Sequence, residues 1–335
     1  MPWNRVLEFS DPFLCQKAIQ GAEVNILPTS KGHFHTCITQ IGMDTAWMQR
    51  FHVTLPQVST IGVKPGRTAI GFLTDNADAE LKHRGNPMRP DEIVIFDHDV
   101  AHHRSTRSLR FGSLSLADED LAKIYATIVG EDFSQPPKGR VIRPTLAAMA
   151  RLQNLHRTIG RIAQDKPDLL SRAEVRRGLQ EKIVHAMVQC LTDNSVTRNN
   201  AGDARHSVIM RRFENFVELN ANRPLYLAEV CAAVGVPERT LRASCEEYFG
   251  MGPIRYLTLR RMHLARRVLL CSEPSKVNVT RVVTDHGFWE LGRFAVAYRT
   301  LFGESPSATL RRSAEHSPAD LKPPSYLSET AISLQ

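Results

Sequence analysis

The sequence predicts an α+β chain of two domains: a small antiparallel β-barrel or sandwich with helices appended, then an all-helical domain carrying two helix-turn-helix units. Three observations predict it. The 335 residues exceed one ordinary domain. Between about Glu23 and Leu116 short apolar runs alternate with Gly, Pro, Asn and Asp clusters, the pattern of many short strands. After Arg205 the apolar period becomes helical, and one glycine-containing segment occurs twice.

Residues 1–20 carry no decisive pattern. The candidate strands are 34–41, 45–54, 57–64, 68–74, 92–96 and 109–115, and MRPDEIVIFDHD is a turn leading into a strand from Ile93 to Phe96. Helices follow at 118–130 and 144–163, the latter with Leu146, Met149, Leu155, Ile159 and Ile162 on one face. Ser171 and Glu174 have the spacing of a capping box, opening a helix to Leu191 with Val175, Leu179, Ile183, Met187 and Cys190 as its stripe. The two long helices either cover the barrel's open side or meet their copies in a second subunit. NSVTRNNAGDARH, residues 194–206, is polar and has the composition of a linker. Ser207 is expected to cap a helix through Asn220, with Ile209, Phe213, Phe216 and Val217 inward. Pro253 to Leu270 forms one long helix with Ile254, Leu257, Met262, Ala265, Val268 and Leu269 as its core face, and Ser305-Pro306 opens a last helix ending near Arg312. The resulting division is 1–193 (helices at about 117–192), a linker at 194–206, a helical domain at 207–315 and a tail at 316–335, whose Pro318, Pro323 and Pro324 point to disorder.

The duplicated segment is the decisive signal. LAEVCAAVGVPERTLRASCEEYFGMGPIRYL begins at Leu227, and VTRVVTDHGFWELGRFAVAYRTLFGESPSATLRR begins at Val279. Val230 and Val282 precede Gly235 and Gly287 by the same interval; Phe249-Gly250 then matches Phe302-Gly303, and Pro253 matches Pro306. The offset is 52 before the turn and 53 after it, so the second copy holds one extra residue where a turn tolerates it. Two short helices joined through a glycine turn, at about 228–249 and again at 279–302, are the helix-turn-helix signature, whose second helix can enter the DNA major groove.

Charge points the same way. The net charge is +8, and residues 205–316 hold 17 Lys+Arg against 11 Asp+Glu. Sixteen of those 17 are arginine, the side chain suited to holding phosphate or a guanine edge with two hydrogen bonds, so the partner expected for this segment is double-stranded DNA. No apolar run approaches the ~20 residues needed to span a bilayer, and the N-terminus lacks the basic-then-apolar order of a signal peptide; a soluble, cytoplasmic protein without membrane contact is expected. The six cysteines form no C-x-x-C pair and are expected as reduced packing residues. No nucleophile elbow, phosphate loop or dinucleotide fingerprint occurs, so neither an enzyme nor a bound cofactor is expected.

RRMHLARRVLL at 260–270, the repeated F-G-x-x-P spacing and GFWELGRFAVAYRTLFGESPS at 287–307 together resemble the AraC-type transcriptional regulators. The resemblance covers roughly residues 207–312. It implies an all-helical DNA-binding domain in which one long helix fixes two helix-turn-helix units, so that both recognition helices reach successive major grooves on one face of DNA. It also implies activation of promoters and RNA polymerase as a partner; a homodimer is one arrangement that the two long N-terminal helices allow. The N-terminal part more loosely resembles the cupin-like sensor domain of such regulators, MRPDEIVIFD matching its turn-then-strand segment, which implies a small-molecule effector in the barrel. The GFWELGRFA form is similar to regulators of amine and amino-acid catabolism, including that of the ethanolamine operon. Pro237 and Trp289 stand where serine often caps the recognition helices, Tyr226 stands where a capping serine is common, and His286 replaces an apolar residue. Each lost cap costs ~1 kcal/mol.

On the first recognition helix Leu241, Cys245 and Phe249 face inward by their spacing, which leaves Glu238, Arg239, Thr240, Arg242 and Ala243 outward. Arg239 and Arg242 are the base-contact candidates that the resemblance favours; contact with phosphate alone is the alternative. On the second, Phe294, Tyr298 and Phe302 face inward and Glu290, Leu291, Gly292, Arg293 and Val296 outward. Only Arg293 offers strong hydrogen bonding, while Leu291 and Val296 can pack on thymine methyls, so this unit is expected to discriminate less. Arg260, Arg281 and Arg299 are the phosphate candidates.

Two other readings compete. The N-terminal domain could only oligomerise, without an effector. Alternatively, the chain could be a cupin-type metalloenzyme tethered to DNA, because His33-x-His35 on a strand could present two imidazoles to a metal, with His52, His83, His98, His102 and His103 elsewhere in the domain. Against this, the carboxylate expected a few residues after such a pair is missing from TCITQIG, and His102 and His103 would point to opposite sides of a strand.

Overall fold

The computed structural model of the protein describes residues 3–74, 80–96, 100–130, 140–192, 194–198, 201–220 and 223–313. The chain forms two compact units, one built mainly from residues up to Val208 and one from Ile209 onward. The first contains β1 (Trp3–Phe9), α1 (Pro12–Ala18), β2 (Ala22–Pro28), β3 (Thr36–Gly42), β4 (Ala46–Val53), β5 (Gln57–Val63), β6 (Arg67–Leu73), β7 (Leu81–His83), β8 (Asn86–Met88), β9 (Ile93–Ile95), β10 (Ala101–Ser105), β11 (Leu109–Ala117), α2 (Asp118–Val129), β12 (Val141–Pro144), α3 (Leu146–Asp165), α4 (Asp168–Ser171), α5 (Ala173–Thr192) and β13 (Asn194–Arg198). The second contains α6 (Ala201–Leu219) from its ninth residue, α7 (Leu227–Val234), α8 (Glu238–Phe249) through Glu246, α9 (Pro253–Cys271), α10 (Val279–Asp285), α11 (Leu291–Phe302) and α12 (Pro306–Ser313). No helix among the described residues is long and apolar enough to cross a membrane.

The strands build two antiparallel sheets rather than one closed barrel, ordered β1-β3-β4-β11-β6-β9-β12-β13 and β2-β5-β10-β7-β8. Alternation along each strand gives the larger sheet two different faces. On β11, Leu114 and Leu116 point to one side and pack with Ile41, Met48, Ile70, Phe72, Ile93 and Ile95 against Met149, Leu152 and Ile159 of α3 and Ile183 and Met187 of α5. Phe111, Ser113 and Ser115 point to the other side. With Phe51, Ser59, Ile61 and His103 they line a cavity of about 90 Å³ between the sheets. The long helices therefore cover the outer face of the larger sheet.

Several expectations need correction. Leu146, placed on the buried face of α3, is 77% exposed, and His156 takes the inward position with Met149, Leu152 and Ile159. The Ser171 hydroxyl closes α4 by donating to Asp168 O at 2.7 Å and caps nothing in α5, which begins at Ala173. The segment expected as a linker holds β13, paired with β12, and the first residues of α6, so Ser207 lies inside a helix instead of capping one. Ile254 and Val268 of α9 are exposed, and Tyr256, Arg260 and Arg266 are buried in their place. The tail from residue 316 and His98 lie outside the described residues. The cysteines are free thiols, and burial, then Asp11, pushes Cys15 up to about 12, as suits a packing residue.

The histidines do not assemble as the metal reading requires. His33 and His35 stand in the loop before β3 and not on a strand, and among the described residues no three His, Cys, Asp or Glu side chains group to hold a metal. His102 and His103 are both buried on β10. His103 Nε2 lies 3.0 Å from His83 Nδ1, so one of two neutral rings donates to the other. On α3, His156 Nε2 donates to Gln49 O at 3.2 Å and Nδ1 accepts from Arg50, which fixes a neutral tautomer. Burial, then His102 and Arg84, lowers His103 to about 3; burial, then Arg50, lowers His156 to about 3. A folded-state value below the unfolded ~6.5 means that only the unfolded chain takes up protons as pH falls from ~6.5 towards 3, and stability is lost across that window. Each such histidine contributes ~1.4 kcal/mol per pH unit there. Urea titrations at pH 7.5 and 5.0 should show this loss, reduced in His156→Gln; equal stability at the two pH values would contradict it.

Candidate nucleic-acid interface

Helix α9 is the shared spine of the second unit. Its N-terminal half packs against α6, with the Phe213 and Tyr256 rings 5.8 Å apart; Tyr256 and Leu257 are buried, as are Val217, Val230, Val234, Leu241 and Cys245 of α6 to α8. Its C-terminal half contributes Met262, Ala265 and Leu269 to a core with Val282, Val283, Phe294, Tyr298 and Leu310. The inward residues expected on both recognition helices, spaced by three and four, are thus placed against α9 or its neighbours.

Each half of α9 is also pinned by one buried arginine. Arg260 donates through Nη2 to Glu218 at 2.6 Å, and its Nη1 lies 4.0 Å from Glu214, whose carboxylate accepts from Tyr256 OH at 2.8 Å. Burial, then Glu214, pushes the Tyr256 phenol well above its ordinary value. Arg266 donates to Glu304 at 2.7 Å and lies over the Phe302 ring, while Tyr298 OH and Thr309 Oγ1 are 2.9 Å apart beside it. Arg260, expected on phosphate, is only 7% exposed and serves as an internal clamp, a correction that follows from its two acidic partners on α6.

The duplication is visible in the backbone. Gly235 and Gly287 take left-handed conformations with φ of 76° and 75°, which glycine adopts at little cost. The residue after each glycine closes the same bond, Val236 N to Cys231 O at 3.2 Å and Phe288 N to Val283 O at 3.1 Å. Helices α8 and α11 are both 12 residues long. The extra residue of the second copy therefore sits in its turn, Phe288-Trp289-Glu290 against Val236-Pro237. The N-cap of α11 is consequently Glu290 and not Trp289; neither it nor Tyr226, the N-cap of α7, makes a side-chain cap bond. The second turn is braced instead by Arg261, which donates to Gly287 O at 3.4 Å and stacks over Phe288.

With α8 and α11 seated by their apolar faces, the first turns look outward. Glu238, Arg239 and Arg242 are exposed and Thr240 is half-buried. Arg242 pairs with Glu238 at 2.5 Å. On α11, Leu291, Gly292, Arg293 and Val296 are exposed, and Arg293, 86% exposed, pairs with Glu290 at 2.7 Å. Such surface pairs are worth only ~0–1 kcal/mol and yield readily to a polyanion. Arg281, paired loosely with Asp285 at 3.8 Å, and Arg299 are exposed as well. Equal helix lengths align Arg239 with Gly292, Thr240 with Arg293 and Arg242 with Ala295, so the two reading surfaces carry different chemistry. Residue spacing did not single out Trp289 for its surface, yet it is 74% exposed beside Leu291 and Arg293. An aromatic in the turn before the helix, where no core face requires one, was the available signal.

Two helices in a glycine turn, duplicated on a common spine with arginines on the outer turns, define a helix-turn-helix DNA-binding domain. Residues 230–312 match the family model described as a helix-turn-helix domain. Over 103 residues the chain is 39% identical to the "Probable thc operon regulatory protein" of Rhodococcus erythropolis, covering 31% of each protein. Over 99 residues it is 34% identical to "XylDLEGF operon transcriptional activator 2" of Pseudomonas putida, covering 30% of this chain and 63% of the relative. The match thus spans less than two thirds of either relative's length. Among solved structures, that of the AraC-like transcriptional activator CuxR overlaps 78% of this chain and 94% of its own at 13% identity and a TM-score of 0.40, too loose to argue from. The matched segment is thus a helix-turn-helix domain similar to those of operon regulators and transcriptional activators. The named relatives are an operon regulatory protein and an operon transcriptional activator.

Proposed function

We propose that the chain regulates transcription by placing α8 and α11 in neighbouring major grooves of promoter DNA, under the control of a small molecule bound by the first unit. The observation that carries this reading is the docking of two equal recognition helices on one spine, each with exposed arginine in its first turns. Arg239 and Arg242 hold guanine edges, with Glu238 and Thr240 reading adjacent bases. Arg293 supplies the hydrogen-bonding contact of the second helix, Leu291 and Val296 pack on thymine methyls, and Arg281 and Arg299 contact phosphate. Trp289, exposed in the second turn, lies against the sugar-phosphate backbone.

The first unit is read as a cupin-like sensor, supported by two antiparallel sheets facing one another across a cavity with helices after them. Activation through contact with RNA polymerase, action in the cytoplasm and a homodimeric form complete the proposal, the first in keeping with the activators named above. Selection of DNA from a random pool by the purified full chain is the test. Enrichment of a site whose two halves lie about one helical turn apart supports the reading; recovery of unenriched DNA refutes it.

A further inference from the structure

Alternation along β5 turns Gln57, Ser59, Ile61 and Val63 to one side, and all four line the cavity of about 90 Å³ between the two sheets of the first unit. The larger sheet contributes Phe51 of β4 and Phe111 of β11. No Asp, Glu, Lys or Arg is among the described residues that line the cavity. Its imidazole, His103, is kept neutral by burial and shares a hydrogen bond of 3.0 Å with His83. An ion brought here would lose its hydration and meet no opposite charge on these walls, so an ionised ligand is disfavoured. Size narrows the choice further. An apolar cavity of ~150 Å³ accommodates benzene, so about 90 Å³ suits a molecule of roughly six non-hydrogen atoms or fewer.

Several polar groups of the lining are already committed. Gln49 Oε1 accepts from Gln40 Nε2 at 2.9 Å and from Gln20 N at 3.1 Å, while its Nε2 donates to Gln20 O at 2.9 Å. Ser115 Oγ accepts from Arg67 Nη2 at 3.3 Å. Gln57 differs. It is only 5% exposed, and its Oε1 meets no hydrogen-bond donor among the described residues. Its backbone is held on both sides, in register with Pro28 of β2 and Ser105 of β10, and its N–H donates to Ser105 Oγ at 3.3 Å. A buried amide oxygen without a donor is destabilising, and a ligand that brings a donor recovers that loss on binding.

We infer that this cavity takes a small uncharged ligand, an apolar body of that size with one hydroxyl or amide N–H that donates to Gln57 Oε1. Its role as the effector site rests on the sensing reading above. Amines and amino acids, ionised near neutrality, are excluded from it, so the catabolite class implied by the GFWELGRFA segment does not extend to this cavity.

The test uses the full chain, with Kd values from NMR titration. Cyclopentanol and tetrahydropyran are isomers, the first a hydrogen-bond donor and the second an acceptor only; cyclopentylammonium and butyrate are charged probes of similar size. Cyclopentanol should bind at least about fivefold more tightly than tetrahydropyran, the effect of one net hydrogen bond, and neither ion should displace it. Gln57→Met, which removes the oxygen and keeps the side-chain length, should erase that preference without lowering Tm in the absence of probe. On the native chain, no binding of cyclopentanol, an ether that matches or outperforms it, or its displacement by either ion overturns the inference, whether or not the variant folds. A preference for the alcohol that survives in Gln57→Met overturns it as well. Gln57-dependent binding with no change in DNA affinity supports the site and removes the sensing reading, whereas an ion that alters DNA affinity while cyclopentanol does not bind keeps the sensing reading and removes this one.

Discussion

Alanine at both Arg239 and Arg242 is expected to weaken binding to the selected DNA site by ~2–6 kcal/mol, since each arginine that holds a guanine edge contributes ~1–3 kcal/mol of discrimination. Binding to unrelated DNA should fall far less, because the phosphate contacts from Arg281 and Arg299 remain. Both side chains are exposed on the first turns of α8, and among the described residues Glu238 pairs with Arg242. Stability should hardly move, as neither arginine takes part in the core. Competition titrations with the selected site and with scrambled DNA check this. Equal weakening on both would reassign the two arginines to phosphate.

The second large effect has the opposite character. Arg260→Ala removes the arginine facing the buried Glu214 and is expected to cost ~3–5 kcal/mol of folding stability, the range for breaking one side of a buried ion pair. Arg260→Met combined with Glu214→Gln should recover much of that loss, because the uncompensated charge is then gone. DNA binding by the folded fraction of Arg260→Ala should keep its salt dependence, whereas loss of a true phosphate contact lowers the slope by ~1. Urea unfolding and salt-dependent binding separate the two: an intact stability with a reduced slope would return Arg260 to the DNA surface.

These two arginine sites show how far the sequence could be read. The duplication located all four helices of the reading units, because glycine turns and apolar residues three and four apart are local signals that tertiary packing rarely overrides. It also required an extra residue in the second copy, which the structure places in the turn Phe288-Trp289-Glu290. Arg260 was misplaced for a physical reason. A cation on a helix resembles a surface residue unless its acidic partners are known, and Glu214 and Glu218 lie on another helix, about forty positions earlier. Ile254 and Val268 were assigned inward for the mirror-image reason, since apolarity alone cannot tell which side of a basic helix meets the core.

In the first unit, six strands, β3 to β6, β9 and β11, were legible from alternation, while β1, β2, β7, β8, β10, β12 and β13 were missed. β1 lies at the sheet edge and is half-exposed along much of its length, which blurs its period. The interior cavity was expected, but its small volume was not, since volume depends on how Phe51, Ile61 and Phe111 fill the space between the sheets.

The account depends most on a rigid α9 presenting α8 and α11 to one duplex. Hydroxyl-radical footprinting on the selected site measures this directly, comparing the native chain with Arg293→Ala. Two protected patches about 10 base pairs apart on one face of the DNA are predicted, the second alone fading in Arg293→Ala. A single patch, or equal fading of both, would contradict it.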